Sequence, residues 1–131
     1  MIANKARIPV FVYGTLMSIN SNHMRHLGAD GPYPGVLEGY RMYQVDPSFP
    51  GIVPAGGGKV LGELYYVSPD ALRTLDRYEG VPRLYRREEA EVRLCCGGSV
   101  RAWCYVWNGP PGGREIAFSE MPWRDKYGCG R

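Results

Sequence analysis

The chain has 131 residues, which is enough for one domain with a core of its own, and we expect a single domain over residues 1–131. An apolar fraction of 44% and a charged fraction of 22% are typical of a soluble globule, and the net charge of +3 is too small and too dispersed for nucleic-acid binding. The N-terminus has neither a long apolar stretch nor a signal-peptide layout, so the sequence predicts a cytoplasmic protein that binds no membrane.

The first element is a short continuous apolar run, Val10–Tyr13, which predicts a buried strand. Gly14-Thr15 ends it, and an abrupt end of this kind leaves successive backbone N–H groups exposed. Glycine permits a positive φ and a close approach of a ligand, and free amides suit a substrate carboxylate or a developing oxyanion. The alternative is an ordinary tight turn. Nucleotide binding is not expected, because neither this turn nor Gly56–Lys59 has the Ser/Thr and following helix of a P-loop.

A short helix is expected over Ser21–Leu27, closed by Gly28. It holds His23 and His26 at i and i+3, so a metal is conceivable there. Without a third ligand nearby, we expect both histidines to be surface residues. The four cysteines show no CxxC spacing and no cluster with histidine, so the sequence predicts buried free thiols and no metal site.

The middle of the chain predicts strands separated by an irregular segment. Gly35–Val45 alternates well enough to form a strand, and Lys59–Val67 predicts a second one. Between them, the FPGIVPAGGG composition within residues 47–58 is typical of a loop or a strand interruption, because proline and glycine break regular structure.

Residues Ser68–Gly80 carry the signals of the main helix. Ser68 can cap its N-terminus, Pro69 suits its first position, and Gly80 ends it. On a helical projection Glu79 falls inside an apolar stripe, which consists of Ala71, Leu72, Leu75 and Tyr78.

Glu79 is therefore a candidate catalytic residue. A half-buried carboxyl group has a raised pKa, which suits a general base working near neutral pH. The alternative is a structural one. Glu79 lies in the last turn of the helix, where its side chain can reach water or pair with Arg83 or Arg86.

The last predicted strands form a hairpin. Alternation returns over Tyr85–Cys96 and Val100–Trp107, joined by a glycine turn signal at 97–99. If Gly97 and Gly98 form a two-residue turn, Cys104 lies opposite Glu91.

The remainder, residues 108–131, is poorly patterned and is expected as a loop and tail, which leaves 8–107 as the core. One main helix among strands predicts an α+β fold, with the sheet curled into a barrel.

Several motifs follow one another along the chain: VYGTL, FPGIVP, VLGELY and LDRYEG, with Tyr85 after the last. Together, over about 8–107, they resemble the γ-glutamylcyclotransferase-like family, which includes the γ-glutamylamine cyclotransferases and the AIG2-like proteins. The resemblance implies a small mixed α/β barrel with one main helix and a C-terminal hairpin. It also implies a pocket between the YGTL turn and the LDRYEG helix.

The resemblance further implies an enzyme that needs no cofactor. The α-amino group of a γ-glutamyl compound attacks its own γ-carbonyl, which releases 5-oxoproline and a free amine or amino acid. Matched by motif, Glu79 takes the role of the catalytic acid and base, and Tyr85 has a supporting role in the pocket. The loop that holds the glutamyl group through backbone amides consists of Tyr13, Gly14, Thr15 and Leu16.

The expected partner is a small γ-glutamyl substrate. The LDRYEGVPRLY segment is most similar to the γ-glutamylamine branch, whereas MSIN at 17–20 stands where many relatives carry a basic residue, which bears on the leaving group. One alternative is a non-catalytic module that binds a small metabolite in the same pocket. Another is a protein-interaction domain that uses the aromatic side of the last strand, Trp103, Tyr105 and Trp107.

Overall fold

The computed structural model describes residues 7–125, and within these residues it contains six strands and two α-helices. The strands are β1 (Ile8–Val12), β2 (Asp30–Asp46), β3 (Phe49–Val67), β4 (Tyr85–Leu94), β5 (Ser99–Trp107) and β6 (Glu115–Ile116). The helices are α1 (His23–His26) and α2 (Pro69–Tyr78), and a 3₁₀ turn follows β6 at Phe118–Glu120.

Five of the strands close into a barrel in the order β3-β1-β5-β4-β2, because β2 pairs back onto β3, while β6 is added beside β2. The strands β1 and β5 run parallel, and the other pairs are antiparallel, so the sheet is mixed. The expected small mixed α/β barrel is therefore confirmed, with α2 as its one main helix and β4–β5 as its C-terminal hairpin.

The helix α2 forms where the sequence predicts it and packs on the outside of the barrel. The Oγ of Ser68 accepts a hydrogen bond from the Ala71 N–H at 3.1 Å, which caps the N-terminus. Leu72 and Leu75 are buried in a second apolar layer, where they join Val10 of β1 and other side chains of the barrel wall. Burial of these leucines fixes the helix against β1, and with it the position of the residues at its C-terminal end.

Tyr78 is the exception to the predicted apolar face. Its side chain is 51% exposed, and its ring lies 4.9 Å from the ring of His23, centroid to centroid. Its hydroxyl group is 3.2 Å from the Oγ1 of Thr15. The last turn of α2 borders a cavity instead of the packed barrel wall, so there is no core for Tyr78 to enter.

The segment 47–58, expected as a loop or strand interruption, is continuous strand from Phe49 onward. Here β3 pairs with β2 alone, since its pairing with β1 begins only at Glu63. Pro50 and Pro54 are therefore tolerated, because a strand with a partner on one side does not need every N–H. Interruptions of this segment are shifts of register in the β2–β3 ladder, one between Glu38 and Tyr40 and one between Tyr43 and Asp46.

The hairpin forms, but its register differs from the expected one. Glu91 pairs with Arg101 and Cys104 with Glu88, because the loop between Leu94 and Ser99 holds residues 95–98 and not two glycines alone. The observed register sets apolar residues opposite each other on the buried face of the hairpin, as in the pairs Ala90–Ala102 and Val92–Val100. Burial of that face selects this register over the predicted one.

Regular structure continues beyond Trp107, where the sequence predicts only loop and tail. The strand β6 pairs with β2, with Ile116 opposite Met42. Trp123 is 6% exposed in the barrel core, and its Nε1–H donates to the Oε1 of Gln44 at 2.9 Å. These residues show no sequence periodicity because their positions are fixed by tertiary contacts with distant segments.

The cysteines agree only in part with the prediction of buried thiols. Cys104 is buried in the core, but Cys95 and Cys96 are exposed in the β4–β5 turn. Cys129 lies outside the described residues. Of the helices between residues 7 and 125, none has the length and apolar character needed to cross a membrane.

Candidate active site

A cavity of about 400 Å³ lies between the C-terminal end of β1 and the C-terminal end of α2. Every site residue predicted from the sequence borders it, namely Tyr13, Gly14, Thr15, Leu16, Glu79 and Tyr85. Residues that the sequence did not single out as site residues also border it, among them Asn20, Ser21, His23, Phe49, Tyr105 and Asp125. The barrel and the packing of α2 therefore bring the YGTL turn and the end of the helix to one place.

Gly14 is required by a close contact and not by its backbone angle. A Cβ atom at Gly14 would lie 2.9 Å from the Cγ of Pro50 and 3.0 Å from its Cδ. Gly14 is not among the glycines with positive φ, so the positive φ considered for this turn is not found. The FPG segment of β3 thus packs directly on the YGTL turn, and only glycine leaves room for it.

The turn offers backbone donors to the cavity wall. No acceptor among residues 7–125 receives the N–H of Gly14, Thr15 or Leu16. The carbonyl oxygens of the turn, in contrast, are engaged: Met17 N donates to Gly14 O at 3.0 Å, and the Oγ of Ser21 donates to Thr15 O at 3.0 Å. Unused amides beside a cavity are suited to an anionic group.

Tyr13 anchors the start of this turn in the protein. Its side chain is 6% exposed, and its hydroxyl group donates to the carbonyl oxygen of Tyr105 at 2.7 Å. Burial raises the pKa of Tyr13 well above its usual value, and the nearby Tyr85 and Glu79 add to the effect. Tyr13 therefore remains a neutral hydrogen-bonding group at the cavity wall.

Glu79 follows the last residue of α2 and is half-buried at the cavity wall. Within the described chain its carboxyl group takes part in no ion pair or hydrogen bond, and the expected alternative partner Arg86 binds Glu88 and the Trp107 carbonyl instead. Burial raises the pKa of Glu79 to about 8. A carboxyl group that is desolvated and unpaired beside a cavity is poised for proton transfer near neutral pH.

Tyr85, at the start of β4, forms the opposite wall. Its hydroxyl group donates to the carbonyl oxygen of Pro50 at 2.5 Å, and burial raises its pKa above its usual value. Its ring contacts Phe49 and Trp107, with centroid distances of 6.4 and 5.3 Å. Tyr85 thereby fixes the same proline that packs on Gly14.

A series of polar and charged contacts supports the cavity wall near Tyr105. The Tyr105 hydroxyl donates to the Oδ1 of Asp76 at 2.8 Å, and Asp76 forms an ion pair with Arg87 at 2.9 Å. The Arg87 guanidinium also lies 4.4 Å from the ring centroid of Trp103. Of the three aromatic residues on this side of β5, Tyr105 is buried, and Trp103 and Trp107 are half-buried.

His23 borders the cavity and is not the surface residue that the sequence predicts, whereas His26 is exposed. The Nε2 of His23 is buried without a hydrogen-bond partner, beneath the ring of Tyr78. Over residues 7–125 no group of His, Cys, Asp and Glu side chains is arranged to hold a metal ion.

Of the Asp, Glu, Lys and Arg side chains of the described residues, only acidic ones border the cavity. Glu79 and Asp125 border it, and no Lys or Arg side chain of the described residues does. A bound carboxylate must therefore be stabilised by backbone N–H groups.

Two residues with a role at the site were missed in the sequence. Glu63 accepts hydrogen bonds from the N–H and the Oγ of Ser18, at 2.8 and 2.7 Å, and so holds the loop that follows the turn. Asn20 is 5% exposed and joins that loop to the C-terminal segment at Trp123. A charged residue inside the apolar VLGELY strand is a signal for Glu63, but nothing in the local sequence distinguishes Asn20.

Comparison with known proteins identifies the family. Residues 10–125 match the family described as Gamma-glutamyl cyclotransferase, AIG2-like. The chain belongs to this family. The resemblance drawn from the VYGTL and LDRYEG motifs is thereby confirmed.

Individual members of the AIG2-like family agree with this. The chain is 37% identical over 101 residues to the gamma-glutamylaminecyclotransferase of Bos taurus, covering 66% of this chain and 56% of the bovine protein. It is 38% identical over 100 residues to a putative gamma-glutamylcyclotransferase of Vibrio cholerae, covering 75% of this chain and 80% of that protein. The match therefore spans little more than half of the bovine protein's length.

Solved structures share the fold. An AIG2-like protein from Mus musculus superimposes with a TM-score of 0.69 at 26% identity, covering 88% of this chain and 99% of the mouse chain. A solution structure from Arabidopsis thaliana superimposes with a TM-score of 0.73 at 29% identity, covering 92% of this chain and 75% of that chain.

Proposed function

We propose that this protein is a γ-glutamyl cyclotransferase that forms 5-oxoproline from a γ-glutamyl compound without a cofactor. The observation that carries the proposal is Glu79, whose partly desolvated carboxyl group has no ion-pair or hydrogen-bond partner among residues 7–125 and which lines the same cavity of about 400 Å³ as the YGTL turn. Relatives named gamma-glutamylaminecyclotransferase, from cattle and from Homo sapiens, support the same activity.

In the proposed reaction Glu79 moves two protons from the α-nitrogen, one after the other. Its carboxylate takes the first proton from the substrate's α-ammonium group, and the freed amine attacks the γ-carbonyl carbon, forming the ring C–N bond and leaving two hydrogens and a positive charge on the ring nitrogen. Glu79 passes the first proton to the nitrogen of the original amide, and its regenerated carboxylate takes the second proton from the ring nitrogen as the tetrahedral intermediate collapses and the bond to the original amine breaks. The products are 5-oxoproline and the amine, which takes up the second proton as an ammonium ion and so restores the Glu79 carboxylate.

The raised pKa of Glu79 suits this proton transfer. The substrate's α-ammonium group lies beside its own α-carboxylate, so its pKa is above the value of about 8 for an α-amino group in peptides. A carboxylate with a pKa of about 8 is a stronger base than an ordinary carboxylate, so Glu79 takes that proton at a smaller cost in free energy and can also return it as an acid. General acid–base catalysis of this kind is worth roughly 10²–10⁴-fold in rate.

The turn supplies binding and charge stabilisation. The free N–H groups of Gly14, Thr15 and Leu16 can hold the substrate's carboxylate and orient the γ-carbonyl, and one donor aimed at the oxyanion is worth about 10²–10³-fold. Because nucleophile and electrophile belong to one molecule, holding it in a ring-like shape provides an effective molarity on the order of 10⁵–10⁸ M.

The leaving group is proposed to be an amine without a carboxylate next to the scissile bond. The outer part of the cavity is bordered by Tyr78 and Leu84, which are 51% and 41% exposed. An apolar leaving group finds contacts there, whereas a carboxylate has no cationic partner among the residues that line the described cavity.

The first experiment measures 5-oxoproline release from γ-glutamyl-alanine, γ-glutamyl-ε-lysine and γ-glutamyl-alkylamines. Wild type is compared with Glu79→Gln, which keeps the shape but cannot accept a proton, and with Asp70→Asn as the control on the same helix, whose side chain is 85% exposed. We expect turnover of the amines in wild type and Asp70→Asn and a loss of at least roughly 10²-fold in Glu79→Gln. Equal rates in Glu79→Gln and wild type would refute the role of Glu79.

The second candidate function is a binding module without turnover. It becomes the better account if no substrate of the panel reacts while 5-oxoproline still binds in the cavity. The uncharged surroundings of Glu79 favour the enzyme, because a binding protein gains nothing from an unpaired carboxyl group on an apolar face.

A further inference from the structure

Two carbonyl groups of the YGTL turn are bound by side chains from the segment that follows it. The Nδ2 of Asn20 donates to the carbonyl oxygen of Gly14 at 2.8 Å, and the Oγ of Ser21 donates to that of Thr15 at 3.0 Å. Both residues border the cavity, and neither has a part in the proton transfer described above.

A hydrogen bond to a peptide carbonyl also fixes the N–H on the other side of the same peptide plane. The peptide group is planar and trans, so its C=O and N–H point in opposite directions. The Asn20 amide and the Met17 N–H, which both donate to the Gly14 carbonyl, therefore set the direction of the Thr15 N–H, and Ser21 sets the direction of the Leu16 N–H. These adjacent donors are among those left without an acceptor in the described part of the chain.

We propose that Asn20 and Ser21 are positioning residues, which hold the N–H groups of Thr15 and Leu16 in the direction of the substrate's carboxylate. The inference rests on the proposed function and adds to it the residues that hold these N–H groups in place, which together form the anion site. No Lys or Arg side chain lines the described cavity, so the carboxylate depends on main-chain dipoles. Dipoles stabilise charge well only when they are aligned beforehand and do not have to turn on binding.

The position of Asn20 is itself fixed by the C-terminal segment. Its Nδ2 also donates to the carbonyl oxygen of Trp123 at 2.9 Å, and its Oδ1 accepts from the Asp125 N–H at 2.9 Å. Two carbonyls on the nitrogen and one N–H on the oxygen leave a single orientation for this buried amide. The side chain of Asn20 thus connects Trp123, which is anchored in the core, with the anion site.

The test compares Ser21→Ala, which removes the donor to Thr15, with Ser21→Thr, which keeps a hydroxyl group. The matched control is Ser99→Ala, whose exposed hydroxyl binds Glu91 and lies outside the cavity. Steady-state kinetics with a γ-glutamyl-alkylamine gives KM, kcat and the pH profile for each protein. Amide ¹⁵N relaxation of the ligand-free proteins reports the mobility of Leu16.

For Ser21→Ala we expect a more mobile Leu16 amide and a rise in KM of about tenfold, because the donor is displaced and not removed. Its kcat and pH profile should stay close to those of wild type, since Glu79 is untouched. Ser21→Thr and Ser99→Ala should resemble wild type in every respect. A Leu16 amide that stays rigid in Ser21→Ala, or an equal change of KM in Ser99→Ala, would overturn the proposal.

Asn20→Asp tests the other carbonyl. The aspartate keeps the acceptor for the Asp125 N–H but cannot donate to Gly14, so we expect the Thr15 amide to lose its shift on titration with 5-oxoproline. An unchanged shift would count against the proposal. If no form of the protein releases or binds 5-oxoproline, the proposed function fails, and the mobility of the Leu16 amide in ligand-free Ser21→Ala still decides whether Ser21 orients the turn.

Discussion

The hydroxyl group of Tyr85 donates a hydrogen bond of 2.5 Å to the carbonyl oxygen of Pro50. This bond ties the first residue of β4 to the start of β3. The ring of the same proline is the group that excludes any side chain larger than hydrogen at Gly14. One contact therefore connects the predicted pocket tyrosine with the predicted binding turn, although they are far apart in sequence.

Tyr85→Phe removes this hydrogen bond and leaves the ring in contact with Phe49 and Trp107. We expect the free energy of unfolding to fall by about 1 kcal/mol, the usual net value of one hydrogen bond. Activity should fall far less than in Glu79→Gln, because no proton passes through Tyr85. Denaturant titration and 5-oxoproline release measure the two effects, and a loss of activity equal to that of Glu79→Gln would assign Tyr85 a direct part in the reaction.

Gly14→Ala places a Cβ 2.9 Å from Pro50, closer than unstrained contacts allow. We expect a loss of stability of about 1–3 kcal/mol and a loss of activity of about 10²-fold, because the turn must shift. Gly112→Ala is the control, since nothing lies within 4 Å of that position. The double variant Gly14→Ala/Pro50→Ala should recover part of both losses. Additive losses in the double variant would mean that another contact is responsible.

The pH dependence of kcat/KM should report the titration of Glu79. Only the carboxylate form can accept the proton, so with a pKa of about 8 the rate should rise about tenfold per pH unit up to near pH 7.5. At higher pH the substrate amine also loses its proton, which bends the profile over. Rates measured from pH 5.5 to 10 test this, and a profile that is flat above pH 6 would contradict a raised pKa.

The free energy of unfolding should fall as the pH rises, which is the direction opposite to that of kcat/KM. The pKa of Glu79 is raised from 4.5 in the unfolded chain to about 8 in the folded protein, so the folded state binds more protons between these values. The contribution of Glu79 to the free energy of unfolding is therefore full below about pH 4.5 and is lost as the pH rises through 8. Because water reaches the cavity and screens the charge, we expect a loss of about 2 kcal/mol between pH 5 and 9.

Glu79→Gln serves as the comparison for this effect. The glutamine stays neutral at all pH values, so the variant should match wild type near pH 5 and be the more stable protein at pH 9. Guanidinium titrations at both pH values give the difference directly. Parallel pH dependence of the two proteins would show that Glu79 does not titrate in this range.

Much of the site could be predicted from local sequence. The helix α2 has a cap at Ser68 and an apolar stripe, so Glu79 could be recognised as a polar residue on an apolar face. The strand β1 ends at glycine, which directs attention to the YGTL turn. These features depend on neighbours within a few residues, where backbone geometry follows closely from residue type.

Other features were decided by contacts between distant segments. The register of β4 and β5 follows from burial of Ala90 against Ala102, not from the glycines of the turn. Tyr78 fits the apolar periodicity but faces the cavity mouth, because the barrel wall ends beneath it. The prolines of β3 occupy strand positions that only the one-sided pairing of this segment permits.

The sequence by itself determined β1, the capped helix α2, the two strands of the C-terminal hairpin and the barrel family, because capping, periodicity and motif order are local features of the sequence. Only the tertiary structure decided that Pro50 imposes glycine at position 14, that Glu79 has no cationic partner among the described residues, and that Asn20 joins the binding turn to Trp123. Those relationships depend on which distant groups exclude water and share hydrogen bonds once the barrel has closed, and no local pattern encodes that.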